Sequence, residues 1–405
     1  MKKAFSVLVV LFISFQLNAQ WVPTANNPNG EYVYCLAVIG TNIFAGTNGG
    51  GVYLSNNNGA SWAQVNNGLT NYAILSFTVK GDTIFAGTEG GGVYFSTNNG
   101  ANWAGVSNGL TNKYVYALTV NGNNIFAGTY FGGVFLSTDD GASWAQVGLP
   151  LNYIYSFVLS GSDIFTGTGD GGVYLTANNG TNWVQVKNGF TNLYVRSLAV
   201  NGINLFAGTF GSGVYLSNNN GTNWTPVGLS GSYVYSFAVY GKNLFAGTYN
   251  GVFLSTNNGT NWSKVNTGLT DTLVRSLVVS GSNLFAGTFE AGVWRRPLSE
   301  LTGVSTDVEV LPKAYTLFQN FPNPFNPSTV IKYAVPFESN VNIRFNNSLG
   351  QIVREVSEGN RQPGNYEINF NSSGLASGIY FYAIKAVSSD GKNDFSAIKK
   401  MILLK

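Results

Sequence analysis

The runs Tyr114-Val115-Tyr116-Ala117-Leu118-Thr119-Val120, Ile125-Phe126-Ala127-Gly128, Val134-Phe135-Leu136 and Trp144-Ala145-Gln146-Val147 read as four short strands in succession. Aromatic and β-branched residues fill each run, and Gly and Asn clusters separate them, the pattern of strands joined by tight turns. The unit recurs. A Phe-Ala/Thr-Gly-Thr signature has its Phe at positions 44, 85, 126, 165, 206, 245 and 285, so that the copies lie 39 to 41 residues apart. Four strands per repeat of roughly 40 residues is the signature of a propeller blade. The expected fold is therefore all-β, with a seven-bladed β-propeller over residues 20–298.

Register tests whether the ring closes. From the Trp of a fourth strand to the third residue of the next first strand the count is 13 for Trp62 to Leu75, Trp103 to Tyr116, Trp183 to Arg196 and Trp262 to Arg275, and 11 for Trp144 to Tyr155 and Trp224 to Tyr235. Trp21 to Tyr34 again gives 13, while the last unit stops after its third strand at Gly292-Val293-Trp294-Arg295. The strand at Trp21 is thus expected to complete the seventh blade. Closure of this kind removes the sheet edges that an open stack of Val- and Tyr-rich strands would expose. Seven of the eight tryptophans fall in fourth strands and Trp294 in a third, positions that suit packing between blades. Cys35 takes a slot that Ser76, Ala117, Ser156, Ser197, Ser236 and Ser276 fill elsewhere, and reads as a small core residue.

The 405 residues are 44% hydrophobic and only 10% charged, with 51 glycines, one cysteine and no histidine. Without an imidazole, Ser-His-Asp and Cys-His nucleophilic catalysis and His-ligated zinc are excluded. A single cysteine forms no internal disulfide. Residues 20–298 carry nine basic and nine acidic side chains and residues 299–405 ten and nine. Such balance lacks the basic footprint of a nucleic-acid or polybasic membrane contact. At the N-terminus Lys2 and Lys3 precede an apolar run from Ala4 to Leu17, and Leu17-Asn18-Ala19 offers a cleavage site before Gln20. Residues 1–19 therefore read as an export signal peptide. No later stretch approaches the roughly 20 apolar residues of a transmembrane helix.

The turn between third and fourth strands is Ser137-Thr138-Asp139-Asp140-Gly141-Ala142-Ser143-Trp144 in one unit and Ser55-Asn56-Asn57-Asn58-Gly59-Ala60-Ser61-Trp62 in another, with further copies ending at Trp103, Trp183, Trp224 and Trp262. It resembles the Asp-box, or BNR, repeat of sialidase-like propellers, some xyloglucanases, sortilin-type receptors and photosystem assembly factors. Here Asn57, Asn98, Asn178, Asn219 and Asn257 stand where that pattern has Asp, and Asp139 alone retains it. Asn also accepts the local backbone hydrogen bonds of such a turn, whereas neutral amides are poor ligands for a hard cation. A structural role is expected for these turns, with no metal and no cofactor.

After Leu298 tryptophan disappears and Pro312, Pro322, Pro324 and Pro327 cluster, marking a linker at 299–316 and a second domain at 317–405. Alternating runs at Ile331–Val335 and Val341–Phe345 predict a small Ig-like β-sandwich. Asn320-Phe321-Pro322-Asn323-Pro324-Phe325-Asn326-Pro327, Leu349-Gly350-Gln351-Ile352-Val353, Leu375-Ala376-Ser377-Gly378-Ile379-Tyr380 and the terminal Lys399–Lys405 resemble, in order, the type A C-terminal sorting domain of the Bacteroidetes-type type IX secretion system. The resemblance implies passage through the periplasm, docking of the tail on the secretion machinery, and delivery to the cell surface or medium.

In a ring of this strand order the Asp-box turns lie on one face, and the second-to-third and fourth-to-first connections on the other. The residue before the Ser/Ala/Cys slot is Tyr34, Leu75, Tyr116, Tyr155, Arg196, Tyr235 and Arg275 in turn, and the second-to-third loops contribute Tyr130, Phe131, Phe210, Tyr249, Phe289 and Glu290. Aromatic rings with a few Arg and Glu at one mouth suit a sugar or a protein segment through stacking and polar orientation. The leading expectation is a non-enzymatic module that binds a glycan or a surface protein. The alternative is a glycoside hydrolase, sialidase-like or xyloglucanase-like, which needs two carboxylates roughly 5 to 9.5 Å apart. Its candidates on that face are Glu31, Glu89, Asp170, Asp271 and Glu290, and Glu290 is also the expected partner of the two arginines.

Overall fold

The computed structural model describes residues 20–28, 30–302, 312, 314–389, 391 and 393–404. The signal-peptide segment lies outside these residues, as do most of the linker and Lys405. The chain divides into two compact units, residues 1–304 and 305–405.

The first unit holds seven four-stranded antiparallel sheets, six of them each one repeat of the sequence and the seventh made of the last repeat's three strands with the strand Val22–Pro23. In the third blade the strands are Val115–Asn121, Asn124–Thr129, Gly133–Ser137 and Ala145–Gly148. Its second strand is buried on both faces, with Phe126 fully enclosed. Full enclosure of such a ring contributes about 1.5–3 kcal/mol relative to exposure. The glycine of the repeated motif has a steric reason. A Cβ at Gly128 would collide with Ile154 in the first strand of the next blade. In the seventh blade, a Cβ at Gly287 would meet Val33 of the first, so the same close approach runs across the closing seam.

First strands neighbour one another around the whole ring, the seventh blade's Val274–Ser280 lying against the first blade's Val33–Ile39. The small slot ties them together. Ser76 Oγ donates to the Val115 carbonyl at 3.2 Å, Ser197 Oγ to Val234 at 3.1 Å and, across the seam, Ser276 Oγ to Val33 at 3.5 Å. Cys35 makes the longer sulfur version to the Ile74 carbonyl at 3.8 Å. Closure is completed by Val22–Pro23, which pairs antiparallel with Val293–Pro297 and places Val22 opposite Arg295 and Pro23 opposite Trp294.

Each third-to-fourth turn is held by one hydroxyl. Ser137 Oγ donates to Asp139 Oδ1 at 2.8 Å and accepts the Gly141 N–H at 2.8 Å, while Asp139 Oδ1 accepts the Ser143 N–H at 2.9 Å. The Asn-containing copies keep this geometry, as Ser217 does with Asn219 and Gly221 at 2.9 Å each. These turns lie beside the first-to-second turns. Lys80 pairs with Asp140, and Asn121 Nδ2 donates to Asn179 Oδ1 at 3.0 Å.

The expected linker begins differently. Leu298–Thr302 forms a short helix whose Leu298 and Leu301 join the core of the last blade. Their three-residue spacing puts both on one helical side, so burial draws this segment onto the propeller unit.

The second unit is a two-sheet β domain. One sheet orders Thr316–Leu317, Ser328–Val335 and Gly364–Asn371, and the other Ile352–Arg361, Ser339–Asn347, Gly378–Ser388 and Asp394–Leu403. Their inner faces enclose Ile331, Tyr333, Val341, Ile343, Phe345, Tyr382 and Met401. The final strand starts at Asp394, five residues ahead of the Lys399 run, because Asp394 to Leu403 all find partners along Gly378–Val387.

Candidate functional site

One irregularity repeats in every blade. The pairing of first and second strands shifts register between Val33 and Cys35, Ile74 and Ser76, Val115 and Ala117, Ile154 and Ser156, Val195 and Ser197, Val234 and Ser236, and Val274 and Ser276. The residue left unpaired by these seven bulges is Tyr34, Leu75, Tyr116, Tyr155, Arg196, Tyr235 or Arg275. A bulge inserts one residue against none and turns its side chain out of the regular alternation. The seven side chains are thereby aimed at one place. Together with Glu89, Tyr130 and Tyr194 they line a cavity of about 370 Å³.

A second ring of contacts builds the rim. The residue after the Thr of each motif donates its N–H to the carbonyl two residues ahead of the bulge residue: Glu89 to Ala73 at 2.9 Å, Tyr130 to Tyr114 at 2.9 Å, Phe210 to Tyr194 at 3.0 Å, Tyr249 to Tyr233 at 3.1 Å and Phe289 to Leu273 at 3.1 Å. Second-to-third loops are thus fastened to the entry of the first strand, and both open on the face away from the Asp-box-like turns. Tyr130, Phe131, Phe210 and Tyr249 remain exposed there.

Aromatic rings run without a break over four blades. From Tyr116 the contacts pass through Tyr130, Tyr153, Tyr155, Tyr194, Phe210, Tyr233 and Tyr249, with centroid separations of 4.1 to 6.3 Å. Tyr194 OH donates to Tyr155 OH at 2.9 Å. The arginines are set into this aromatic wall. The Arg275 guanidinium carbon lies 5.0 Å from the Tyr34 ring centroid and 4.7 Å from that of Tyr235, and Arg196 stands 4.3 Å over Tyr155. Burial lowers the pKa of Arg275, and the charge of Arg196 lowers it further. Burial raises the phenols of Tyr34, Tyr116 and Tyr235. For Tyr155, burial and the hydrogen bond from Tyr194 act in the same direction.

Of the sequence-designated residues, the cavity gathers Tyr34, Tyr116, Tyr130, Tyr155, Arg196, Tyr235 and Arg275. Phe131, Phe210 and Tyr249 sit on the rim, and Phe289 stacks on Tyr32 at 3.7 Å. Glu290 is exposed and does not line the cavity. The carboxylate that shares the cavity with the two arginines is Glu89, which corrects the expected pairing with Glu290. The reason is positional: Glu89 directly follows the motif Thr, where the loop is tied to the strand entry, whereas Glu290 lies one residue further out. Asp271 is engaged by the backbone, its Oδ1 accepting the Leu273 N–H at 3.0 Å and its Oδ2 that of Glu290 at 2.7 Å. Sequence reading missed Tyr194. The signal was present, since the position two ahead of the bulge residue is Tyr32, Ala73, Tyr114, Tyr153, Tyr194, Tyr233 and Leu273, aromatic in five of seven copies.

Residues 319–403 match the family model of the secretion system C-terminal sorting domain, and residues 152–285 match that of the DUF6242 beta propeller domain. The tail is a type IX sorting domain. It is the part of the chain that the type IX secretion machinery engages, and the protein is exported to the cell surface or secreted. No helix among the described residues is long and apolar enough to cross a membrane. No curated protein sequence matches the chain significantly.

Solved structures resemble it in fold. PorZ, an essential bacterial surface component of the type-IX secretion system of Porphyromonas gingivalis, is 14% identical, with a TM-score of 0.56 over 95% of this chain and 61% of its own. The GH74 xyloglucanase of Xanthomonas campestris is 15% identical, with a TM-score of 0.57 over 78% of this chain and 59% of its own. YCF48 bound to D1 peptide is 13% identical, with a TM-score of 0.58 over 72% of this chain and 98% of its own. The chain therefore spans less than two thirds of the length of PorZ and of the xyloglucanase.

Proposed function

We propose that the propeller is a non-enzymatic binding module of a surface or secreted protein, and that it takes a glycan or protein segment at the bulge-lined mouth. The observation behind this reading is the convergence of seven bulge side chains, four of them Tyr and two Arg, on one cavity. Packing alone does not call for it. Leu75 fills the same position in the second blade, and a ring that needed only apolar contact would have no use for Arg there. The cavity volume of about 370 Å³ falls in the range of ligand sites, and its walls are held by regular sheets and repeated loop ties. In the same reading, the six third-to-fourth turns are Asp-box turns with a structural role, and the sorting tail, of type A, is removed on delivery.

A glycosidase of the ordinary two-carboxylate kind finds one carboxylate, Glu89, in this lining. The likeness to a xyloglucanase concerns the fold, on which many activities and binding functions are built. Screening the chain from residue 20 to 405 on glycan and surface-protein arrays tests the proposal. Binding that is lost in Tyr155→Ala while the melting temperature is kept supports it. Turnover of a polysaccharide, abolished by Glu89→Gln, overturns it in favour of an enzyme.

A further inference from the structure

Arg196 and Arg275 bring two guanidinium groups to a cavity whose lining holds one carboxylate, and among the described residues neither forms a salt bridge. Three other arginines of the chain are neutralised locally, Arg296 by Glu300, Arg344 by Glu355 and Arg361 by Glu358. In the cavity the compensation is aromatic. Arg275 shares one hydrogen bond with Tyr235, and the ring faces attract both cations through their quadrupoles without consuming further in-plane N–H donors, which make guanidinium a fork for planar anions. Burial and mutual repulsion both weaken the charged form of Arg275. An anion between the two arginines would relieve that repulsion, and Glu89 is exposed at the rim.

The remaining lining decides the kind of anion carrier. Six tyrosines face the cavity and Leu75 is its one aliphatic residue. Apolar peptide anchors therefore find little matching surface. A polyhydroxylated ring finds aromatic faces for its C–H side and phenols for its hydroxyls, and the exposed aromatic rim continues that surface outward.

Resting on the binding-module reading above, we propose that the mouth is specific for an acidic sugar residue, whose carboxylate or sulfate group is held by Arg196 and Arg275 while its ring stacks on the tyrosine wall. Glu89 accepts sugar hydroxyls and opposes excess negative charge. Attraction to a fixed pair of charges weakens with added salt.

Calorimetric titration of the chain from residue 20 to 405 tests this with four probes: a galacturonate trisaccharide, a sulfated galactose trisaccharide, neutral galactotriose and a glutamate hexapeptide. At least one acidic saccharide is expected to bind about tenfold or more tighter than the neutral one, with the preference shrinking as salt rises. Which acidic arm binds tells carboxylate from sulfate. Arg196→Gln with Arg275→Gln should abolish the preference, and Glu89→Gln should strengthen acidic binding several-fold. If the double variant melts early, Arg196→Gln alone and Glu89→Gln carry the test, since their effects are opposite in sign. Equal binding of neutral and acidic sugars, a preference that survives the arginine changes, tighter binding of the peptide, or no binding of either acidic saccharide overturns the inference. Should a neutral sugar or the peptide bind in a way that Tyr155→Ala abolishes, this inference falls and the binding-module reading stands. If no ligand from the probes or arrays depends on Tyr155, both fall.

Discussion

The indole Nε1 of Trp21 donates to the carbonyl of Val265 at 2.7 Å, joining residues 244 positions apart. The same bond is made by Trp103 to Val65 and Trp144 to Val106 at 2.7 Å each, and by Trp224 to Val186 and Trp262 to Val227 at 3.0 Å each. Backbone pairing agrees, since the Trp21 N–H meets Thr267 as the Trp103 N–H meets Asn67, both at 2.8 Å. Trp21 to Pro23 thus occupy the fourth-strand position of the last blade.

Trp21→Ala should therefore cost about 3–5 kcal/mol, the usual range for removing a fully buried Trp. Trp183 provides an internal control. It is only partly buried, and its Nε1 has no hydrogen-bond partner among the described residues. Denaturant unfolding of the two alanine variants should show the larger loss for Trp21, and deletion of residues 20–26 should destabilise the whole ring by leaving the seventh blade with an unpaired edge. Equal losses for the two tryptophans would contradict the closure argument.

Asp139 makes one of the six turns acid-sensitive. Hydrogen bonds from the Ser143 hydroxyl and backbone N–H and from the Ser137 hydroxyl hold its carboxyl below the ordinary aspartate range. A lowered native pKa means that its contribution to stability is complete above the unfolded-state value and is lost as pH falls through the native one. Asp139→Asn, which copies the other five turns, should leave the melting temperature near neutrality almost unchanged and flatten its decline below about pH 4. A large loss at neutral pH would show that the charge itself is required.

The cavity tyrosines should act at the alkaline end. Their raised native pKa values mean that the folded state keeps phenol protons which the unfolded chain releases. Stability is then complete below the ordinary phenol range and falls as pH rises from about 10 toward the native values. Absorbance titration should show a class of tyrosines ionising late, together with loss of structure, and Tyr155→Phe should make that class smaller. Ionisation of every tyrosine in one step near pH 10 would argue against an enclosed ring.

Removal of residues 317–405 should leave the propeller folded. Its buried clusters are drawn from residues up to Leu301, and those of the tail from Leu317 onward. Expressed in a host with a type IX system, the truncated chain should accumulate in the periplasm and melt near the temperature of the propeller transition in the full chain. Appearance at the cell surface would refute the role of the tail as a sorting address.

In the tail, Tyr382 OH donates to the Phe318 carbonyl and accepts the Asn320 N–H, both at 2.8 Å, in a fully buried position. Tyr382→Phe strands both backbone groups and should cost about 1–3 kcal/mol. The transition of the tail should move while that of the propeller stays in place.

Period and register are local properties, and they carried the architecture. A motif returning every 39 to 41 residues specifies a stack of equal sheets, and a last unit lacking its fourth strand, with an N-terminal strand in matching register, specifies a ring. Loop order then separated the turn face from the face that carries the cavity. The aromatic and arginine positions were legible for the same reason, because comparing copies of one unit exposes the slot that varies.

Pairing between segments decided the rest. The seven bulges are invisible to a period-two pattern, since the extra residue is defined only by which second-strand partner its neighbours choose, and that choice aims Tyr34, Arg196 and Arg275 into one cavity. Nor does strand order state how far a loop residue reaches inward, so Glu89 replaced Glu290 as the acidic member once the loops were tied to the strand entries. Leu301 fell in the expected linker until the last blade offered it, with Leu298, a core to enter. By itself the sequence determined the number, order and closure of the blades, because these follow from repetition along the chain. Which side chains meet depends on hydrogen-bond register and on the closing of first blade against last, and was settled only once the chain had folded.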